Sequence, residues 1–275
     1  MTIQAYHVIC MKCHHDAVRL WDLGSGLPLE QVKCFLEETF SPYLKCAPPA
    51  RLVPTERTAA LARQCQPLRI TDQSRIGSRG GQRTAGEREI LAGILEGTAP
   101  SEDRMAFMLE GLGLQGLAAL MLVRGAFRPG TINILFTAAL PCTWDPQECR
   151  YHARSLLCGF PSIVSTSGAV EGPARPRGYY VAKMMGLTEA EARRKYLGRF
   201  LEHDDPRMPE VAKGLAAQAV FYHLTGNPFC EQEDCRLFNA RWQDQLVASQ
   251  VNNRRFCNGH NRVLKELKQP KGRTR

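Results

Sequence analysis

The amino-acid sequence predicts an α/β or α+β sandwich, in which helices pack against a sheet. Strand-like and helix-like patterns alternate along the 275 residues. The stretch "TINILFTAAL" (131–140) is a nearly continuous apolar run of strand length, which is typical of a strand buried on both faces within a sheet. The stretch "RMPEVAKGLAAQAVFYHLTG" (207–226) has apolar residues at helical spacing and ends at Gly226, a typical helix stop.

The other elements are predicted in chain order from the same periodicities. We predict strands in "IQAYHVIC" (3–10), "PLRITD" (67–72) and "FPSIVSTSG" (160–168). Helices are predicted in 27–40, after Pro54 in 51–66, in 86–97, in 102–113 and in 177–201, where Thr188 can cap a second helix. A Gly/Ser/Arg-rich stretch at about 73–88 predicts a flexible loop.

Composition narrows the class of protein. Hydrophobic residues make up 44% and charged residues 23%, which is typical of a folded globular protein. The net charge of +9 suits nucleic acid or another anionic partner, or else a solvated basic surface. The sequence has no run of 18 apolar residues and no secretory signal, so we expect no membrane span and a cytoplasmic location. In that reducing compartment, the 11 cysteines favour metal binding over disulfides.

The strongest motif lies near the C-terminus. Cys230, Cys235, Cys257 and His260 form the pattern C-x4-C, 21 residues, C-x2-H. Zinc favours four thiolate or imidazole ligands, which usually come as two close pairs, and a site of four protein ligands is structural. The intervening stretch 236–250 is amphipathic, so a helix there could bring the second pair to the first.

This segment resembles the C-terminal half of the archaemetzincins, zinc peptidases with the motif H-E-x-x-H-x-x-G-x-x-H-C. The segments "FPSIVSTSGAVEGPARP" and "CRLFNARWQDQL…FCNGH" resemble still more closely a prokaryotic family of metallopeptidase-like proteins of unknown function. This resemblance covers the chain from Thr131 onward. The resemblance implies a metzincin-like α/β sandwich with a mixed, mostly parallel sheet, plus a C-terminal helical subdomain pinned by structural Zn²⁺.

The resemblance also indicates that the catalytic motif is lost. Aligned on Cys230, His223 matches the second catalytic histidine, and Gly226 matches the motif glycine. The first and third histidine positions hold Ala219 and Phe229. The position of the general-base glutamate holds Val220, and Leu237 stands where the family has a methionine. A catalytic zinc site needs three protein ligands, so standard metzincin catalysis is not expected.

Three other groups of residues are candidates for further sites. His152, Glu171 and His203 could complete a rebuilt metal site around His223, or His223 is an ordinary helix residue. A basic set could bind a phosphate or carboxylate, or form a solvated surface: Arg150, Arg154, Arg175 and Arg177. A C-x2-C pair followed by histidine could hold a second metal: Cys10, Cys13 and His14.

We therefore expect one domain over 1–275. Its N-terminal half (1–130) is divergent, and its C-terminal half (131–275) contains the zinc-binding subdomain 226–265. The first hypothesis is a non-catalytic or ligand-binding zinc protein, with a peptide or an anion in the former active-site cleft. The alternatives are an active metal-dependent hydrolase and a basic nucleic-acid-binding zinc protein.

Overall fold

The main sheet confirms the predicted α/β class. The computed structural model describes residues 16–80, 84–125 and 128–268. Its larger sheet has the strand order β2-β1-β5-β9-β8, with β3 also paired to β1, and a smaller sheet has the order β4-β6-β7. The strands are β1 (Ala17–Leu23), β2 (Lys45–Cys46), β3 (Ala50–Arg51), β4 (Met108–Glu110), β5 (Thr131–Thr137), β6 (Leu140–Asp145), β7 (Arg150–Ala153), β8 (Leu156–Leu157) and β9 (Ser162–Ser165). In the larger sheet every pairing is parallel except that of β8 with β9.

Helices cover both faces of this sheet. The described helices are α1 (Leu29–Phe40), α2 (Thr58–Cys65), α3 (Ala85–Glu96), α4 (Ser101–Ala106), α5 (Gly111–Gly125), α6 (Thr166–Glu171), α7 (Arg177–Met184), α8 (Glu189–Lys195), α9 (Met208–Thr225), α10 (Gln243–Val247) and α11 (Asn258–Lys268). Short 3-10 turns at Thr55–Arg57 and Gln66–Leu68 flank α2, and a π-helical turn, Ala248–Asn253, continues α10. None of the described helices is both long and apolar enough to cross a bilayer.

The central strand β5 is buried on both faces, as its apolar run predicts. Ile132, Ile134 and Phe136 belong to a core shared with α1, α9 and α11. Leu135 points the other way, into a core shared with α2, α3 and α5. Successive side chains of a strand alternate between faces, so a strand between two helical layers must be apolar at nearly every position.

Helix α9 is the main cover of the first face. Val211, Leu215 and Ala219 are almost completely buried, and so are most of the positions between them. A helix that is apolar all round lies in the interior rather than at the surface. The predicted stop is confirmed, because Gly226 takes a left-handed φ of 77° and its N–H donates to the Tyr222 carbonyl. The predicted cap of α8 is also confirmed, since Thr188 and Glu191 form a capping box.

Several predicted elements differ from the structure. The stretch 102–113 is not one helix, because α4 ends at Ala106 and β4 pairs with β6 in the smaller sheet. The stretch 67–72 forms isolated bridges at Arg69 and Ile70 in place of a strand. The predicted loop 73–88 ends earlier, because Thr84 caps α3 by accepting a bond from the Glu87 N–H. The strand predicted in 3–10 lies outside the described residues.

The linker between the two metal-ligand pairs is only partly helical. A helix over 236–250 was predicted, but α10 begins at Gln243. The preceding stretch is extended enough for bridges from Cys230 to Phe238 and from Ala174 to Trp242. These main-chain pairings use backbone groups that a helix would have satisfied internally, so the amphipathic pattern alone was misleading.

Candidate metal centre

The four predicted metal ligands lie together in the structure. One ligand atom from each of Cys230, Cys235, Cys257 and His260 lies within 4.8 Å of all the others. The Sγ atoms of Cys230 and Cys257 are 3.9 Å apart. The His260 Nδ1 lies 3.6 Å from the Cys235 Sγ and 3.1 Å from the Cys257 Sγ. In the part of the chain that the structure describes, no other group of three or more His, Cys, Asp or Glu residues meets the same criterion.

Two of the three ligand separations fit a tetrahedral zinc ion. With zinc–sulfur bonds of about 2.3 Å and zinc–nitrogen bonds of about 2.0 Å, tetrahedral angles place two sulfurs about 3.8 Å apart and a sulfur and a nitrogen about 3.5 Å apart. The Cys230–Cys257 distance of 3.9 Å and the Cys235–His260 distance of 3.6 Å agree with these values, whereas the Cys257–His260 distance of 3.1 Å is shorter than expected. A disulfide would need sulfurs about 2.05 Å apart, so the cysteines are arranged as separate ligands.

Two short segments present these side chains. The first pair follows α9, and the Cys230 N–H donates to the Leu237 carbonyl at 2.8 Å. The second pair lies at the start of α11, where Cys257 precedes the helix and His260 is in its first turn. The segments are joined by a bridge from Cys235 to Arg255, and the Arg236 N–H donates to the Arg255 carbonyl. Backbone pairing therefore brings together ligands that are far apart in sequence.

Main-chain N–H groups surround the sulfurs. The N–H groups of Leu237 and Cys257 point at the Cys235 Sγ at 3.5 and 3.4 Å, and that of Gln232 points at the Cys230 Sγ at 3.4 Å. Such donors favour the thiolate form, which is the form that binds metal. A hydrogen bond from Cys235, opposed by burial and assisted by His260, lowers the pKa of Cys230 to about 4. The same bond, together with burial, raises the pKa of Cys235.

A buried shell fixes the position of the cluster. The Phe221 ring packs edge-on against the His260 imidazole, with centroids 5.2 Å apart. Arg236, 3% exposed, donates to the Glu210 carboxylate and to the Glu210 carbonyl. The Gln250 Nε2 donates to the Arg236 carbonyl at 2.7 Å. Gln250 approaches α9 so closely that only glycine fits at Gly214, where a Cβ would lie 1.5 Å from the Gln250 Oε1.

The positions that the sequence alignment on Cys230 matches to a catalytic motif lie in and after the last turns of α9. Ala219 and Val220 are completely buried in the core, where neither can bind a metal. The His223 Nε2 lies 3.2 Å from the Ser162 Oγ, at the start of β9. Phe229 is partly buried, and Leu237 is completely buried.

The rebuilt metal site proposed around His223 is not assembled among the described residues. His152 pairs with Glu148, with 3.1 Å between Nε2 and Oε2. His203 pairs with Glu171, with 3.2 Å between Nε2 and Oε1. The three histidines therefore have different partners and form no common group.

The four candidate anion-binding arginines have different contacts. Arg154 donates to the Thr143 hydroxyl at 2.7 Å. Arg175 stacks on Phe200 at 4.1 Å, and Arg177 stacks on Trp242 at 5.0 Å. Arg150 is exposed in β7. The candidate second metal site, Cys10, Cys13 and His14, lies outside the described residues.

The structure has a cavity that was not predicted from the sequence. It has a volume of about 220 Å³ and is lined by Ser25, Arg104, Thr166, His203 and Asp204, among others. Within the stretch "LEHDDPR" (201–207), His203 alone is a candidate from the sequence, as a metal ligand, and Arg104 is not among the candidates. The signal that could have found it is positional, because ligand sites of parallel sheets lie beyond the carboxyl ends of the strands.

Comparison with known proteins supplies one match. A family model described as "Probable metallopeptidase family (DUF6775)" matches residues 18–267. Neither a search of curated proteins nor a search of solved structures returned a significant match.

Proposed function

The chain belongs to this probable metallopeptidase family, and from that premise we propose that it is a zinc-binding member without standard metzincin catalysis. The observation that carries the proposal is the Cys3His cluster, whose ligand atoms all lie within 4.8 Å of one another, with two of their separations close to those expected around zinc. Cys230, Cys235, Cys257 and His260 would hold Zn²⁺. Four protein ligands leave no open position for substrate or water, so the bound metal would supply stability.

The proposed structural role also follows from where the cluster lies. Cys235 and Cys257 belong to the same core as α9, β5 and α11. A metal there would cross-link the segment after α9 to the start of α11 and would close the core on that face of the sheet. This supports the expectation of a zinc-pinned C-terminal subdomain at 226–265.

The proposed loss of catalysis has a separate basis. Zinc hydrolysis by the metzincin route needs three histidines and a glutamate as general base. Of those four positions, aligned on Cys230, His223 alone keeps its residue. The Ala219 and Val220 positions point into the core, and the neighbouring histidines pair elsewhere.

The test is metal stoichiometry in the full chain and its variants. We expect Cys257→Ala to lose one zinc per chain and His223→Ala to lose none. Cys34→Ser is the matched control, because Cys34 is an exposed cysteine that does not belong to the cluster. A Cys10→Ser/Cys13→Ser variant separates any metal held by the N-terminal pair from the metal of the Cys3His cluster.

The opposite pattern would overturn the proposal. If Cys257→Ala keeps its zinc, the assignment of a structural zinc site to the Cys3His cluster is wrong. Peptidase activity that disappears in His223→Ala together with a bound metal would favour the alternative of a rebuilt hydrolase. The nucleic-acid alternative requires binding of DNA or RNA that weakens steeply with salt.

A further inference from the structure

The cavity of about 220 Å³ lies at the carboxyl ends of β1 and β9. Ser25 follows β1, Thr166 follows β9, and Met208 at the start of α9 closes one side. His223 is at the other end of the same helix, about 22 Å away at 1.5 Å per residue. The cavity is therefore distinct from the remnant of the peptidase motif, and it lies where parallel α/β sheets bind ligands.

Arg104 is the buried cation of this cavity. It comes from α4 and is 9% exposed. Its Nη1 and Nη2 donate to the two carboxylate oxygens of Asp204 at 3.1 and 2.7 Å. Its Nε is buried without an acceptor among the described residues. A buried donor without a partner is costly.

Asp204 is a partner that can be displaced. Its side chain is 75% exposed, whereas that of Arg104 is 11% exposed. Its backbone takes φ of 60°, a conformation that aspartate tolerates but that favours glycine. Ion pairs with one partner in water are weak, because the exposed carboxylate is well solvated when it is free. Asp204 therefore occupies the two donors of Arg104 without being fixed there by burial.

The neighbouring His203 supplies a second polar group. Its side chain is 11% exposed, lines the same cavity, and pairs through Nε2 with the Glu171 carboxylate at 3.2 Å. When Nε2 donates to Glu171, Nδ1 is the acceptor of the neutral ring. The cavity thus places a guanidinium beside an imidazole that a carboxylate orients.

We propose that this cavity is a binding site for a small oxyanion ligand, a carboxylate or a phosphate, which replaces Asp204 on Arg104 and contacts His203. A guanidinium gives two parallel donors to either oxyanion, which an ammonium cannot. A hydroxyl or amine on the ligand can donate to the His203 Nδ1. The exposed Asp204 carboxylate acts as an internal competitor that holds Arg104 in place when no ligand is bound.

If Asp204 and the ligand compete for Arg104, removing the Asp204 charge should change ligand affinity, which a purely structural ion pair would not predict. If Asp204 holds Arg104 in nine of ten molecules, removing it should tighten ligand binding about tenfold, since the apparent dissociation constant scales with the competent fraction. Asp204→Asn should therefore bind more tightly than the wild type. Arg104→Met should abolish binding.

The experiment is calorimetric titration of the full, zinc-loaded chain with two probes, succinate and inorganic phosphate, which distinguish the two sources of the oxyanion. The matched control is the ion pair of Arg199 and Asp244, 2.9 Å apart, whose side chains are 56% and 30% exposed and line a separate pocket. Asp244→Asn should leave affinity for both probes unchanged. Asp204→Asn changes a mostly exposed side chain, so it keeps the test decisive even if Arg104→Met fails to fold.

Two results would overturn the proposal. The first is that neither probe binds the wild type or Asp204→Asn at millimolar concentration. The second is that Asp204→Asn and Asp244→Asn bind with equal affinity, because the Arg104–Asp204 pair would then be structural only. Loss of zinc in Cys257→Ala with oxyanion binding retained would show that the two sites are independent.

Discussion

The fully buried Gln250 makes Gly214→Ala the sharpest test of the packing around the metal centre. The added Cβ would lie 1.5 Å from the Gln250 Oε1 and 2.5 Å from its Cδ. Gln250 is 0% exposed, so its amide has no empty space to move into. The amide must give up its 2.7 Å bond to the Arg236 carbonyl, or α9 must move away from the π-helical turn.

The size of the effect follows from three contributions. Overpacking a core costs about 1–3 kcal/mol. Leaving the buried Arg236 carbonyl without a donor costs about 1–3 kcal/mol. Replacing glycine by alanine within a helix raises the free energy of unfolding by about 1 kcal/mol, because alanine has the higher helix propensity. We expect Gly214→Ala to lower the free energy of unfolding by about 3 kcal/mol, the middle of the range of about 1–5 kcal/mol to which these contributions sum.

The assay is equilibrium urea unfolding, with Gly116→Ala as the matched control. Gly116 also lies inside a helix, but a Cβ there would meet nothing within 4 Å. Gly116→Ala should therefore stabilise the protein by about 0.5–1 kcal/mol. Zinc should also be lost to a chelator faster in Gly214→Ala, since Arg236 follows the ligand Cys235.

A double variant isolates the contact itself. In a Gln250→Ala background the space beside Gly214 is empty, so adding Gly214→Ala should cost less than it does in the wild type. Equal stability of Gly214→Ala and Gly116→Ala would refute the close approach. Full additivity of Gly214→Ala and Gln250→Ala would refute the assignment of its cost to the Gln250 side chain.

Three further predictions concern other contacts. Burial opposes ionisation of Asp205, but hydrogen bonds from Arg207 outweigh it and lower the pKa of Asp205. A carboxylate whose pKa is lowered by folding stabilises the fold above its unfolded pKa, so Asp205→Asn should cost about 2 kcal/mol at pH 7. In denaturant titrations that cost should shrink as the pH falls below about 4. Phe221→Leu should loosen His260 and weaken zinc retention against a chelator, with a stability loss of about 1–3 kcal/mol in urea unfolding; unchanged retention would contradict a positioning role. Thr188→Ala should cost about 1 kcal/mol through loss of the capping box of α8, whereas Thr188→Ser should cost little in the same thermal unfolding assay.

The sequence allowed the fold class and the metal cluster to be predicted because both depend on strong local signals. The β5 pattern is apolar at nearly every position, and a strand between two helical layers leaves no other arrangement. The four candidate metal ligands have residue types that zinc prefers and short spacings within each pair. Helix ends at Thr188 and Gly226 were predictable for the same reason, since caps depend on one or two residues.

The missed features depend on contacts between distant residues. Arg104 and Asp204 are 100 residues apart, and nothing in either local sequence indicates that they meet. The hairpin of β6 and β7 was not predicted because its polar and apolar side chains do not alternate clearly. Strand β4 was included in the helix predicted over 102–113, because its residues continue the helical spacing of that stretch. The stretch before Gln243 shows the limit of amphipathic spacing, because backbone pairing with Cys230 and Ala174 outweighed helix formation.

The position of the metal ligands in chain order has a consequence for how the protein matures during synthesis. All strands of the described sheets precede Thr166, whereas the last ligand, His260, follows them by almost a hundred residues. Domains form progressively as the chain emerges, so the sheet and α9 can pack before the cluster exists. Until His260 is available, the apolar face that α11 covers stays open to water and to other chains. If the cluster binds zinc as proposed, zinc scarcity should first cause aggregation of newly made chains, before any loss of chains that have already folded.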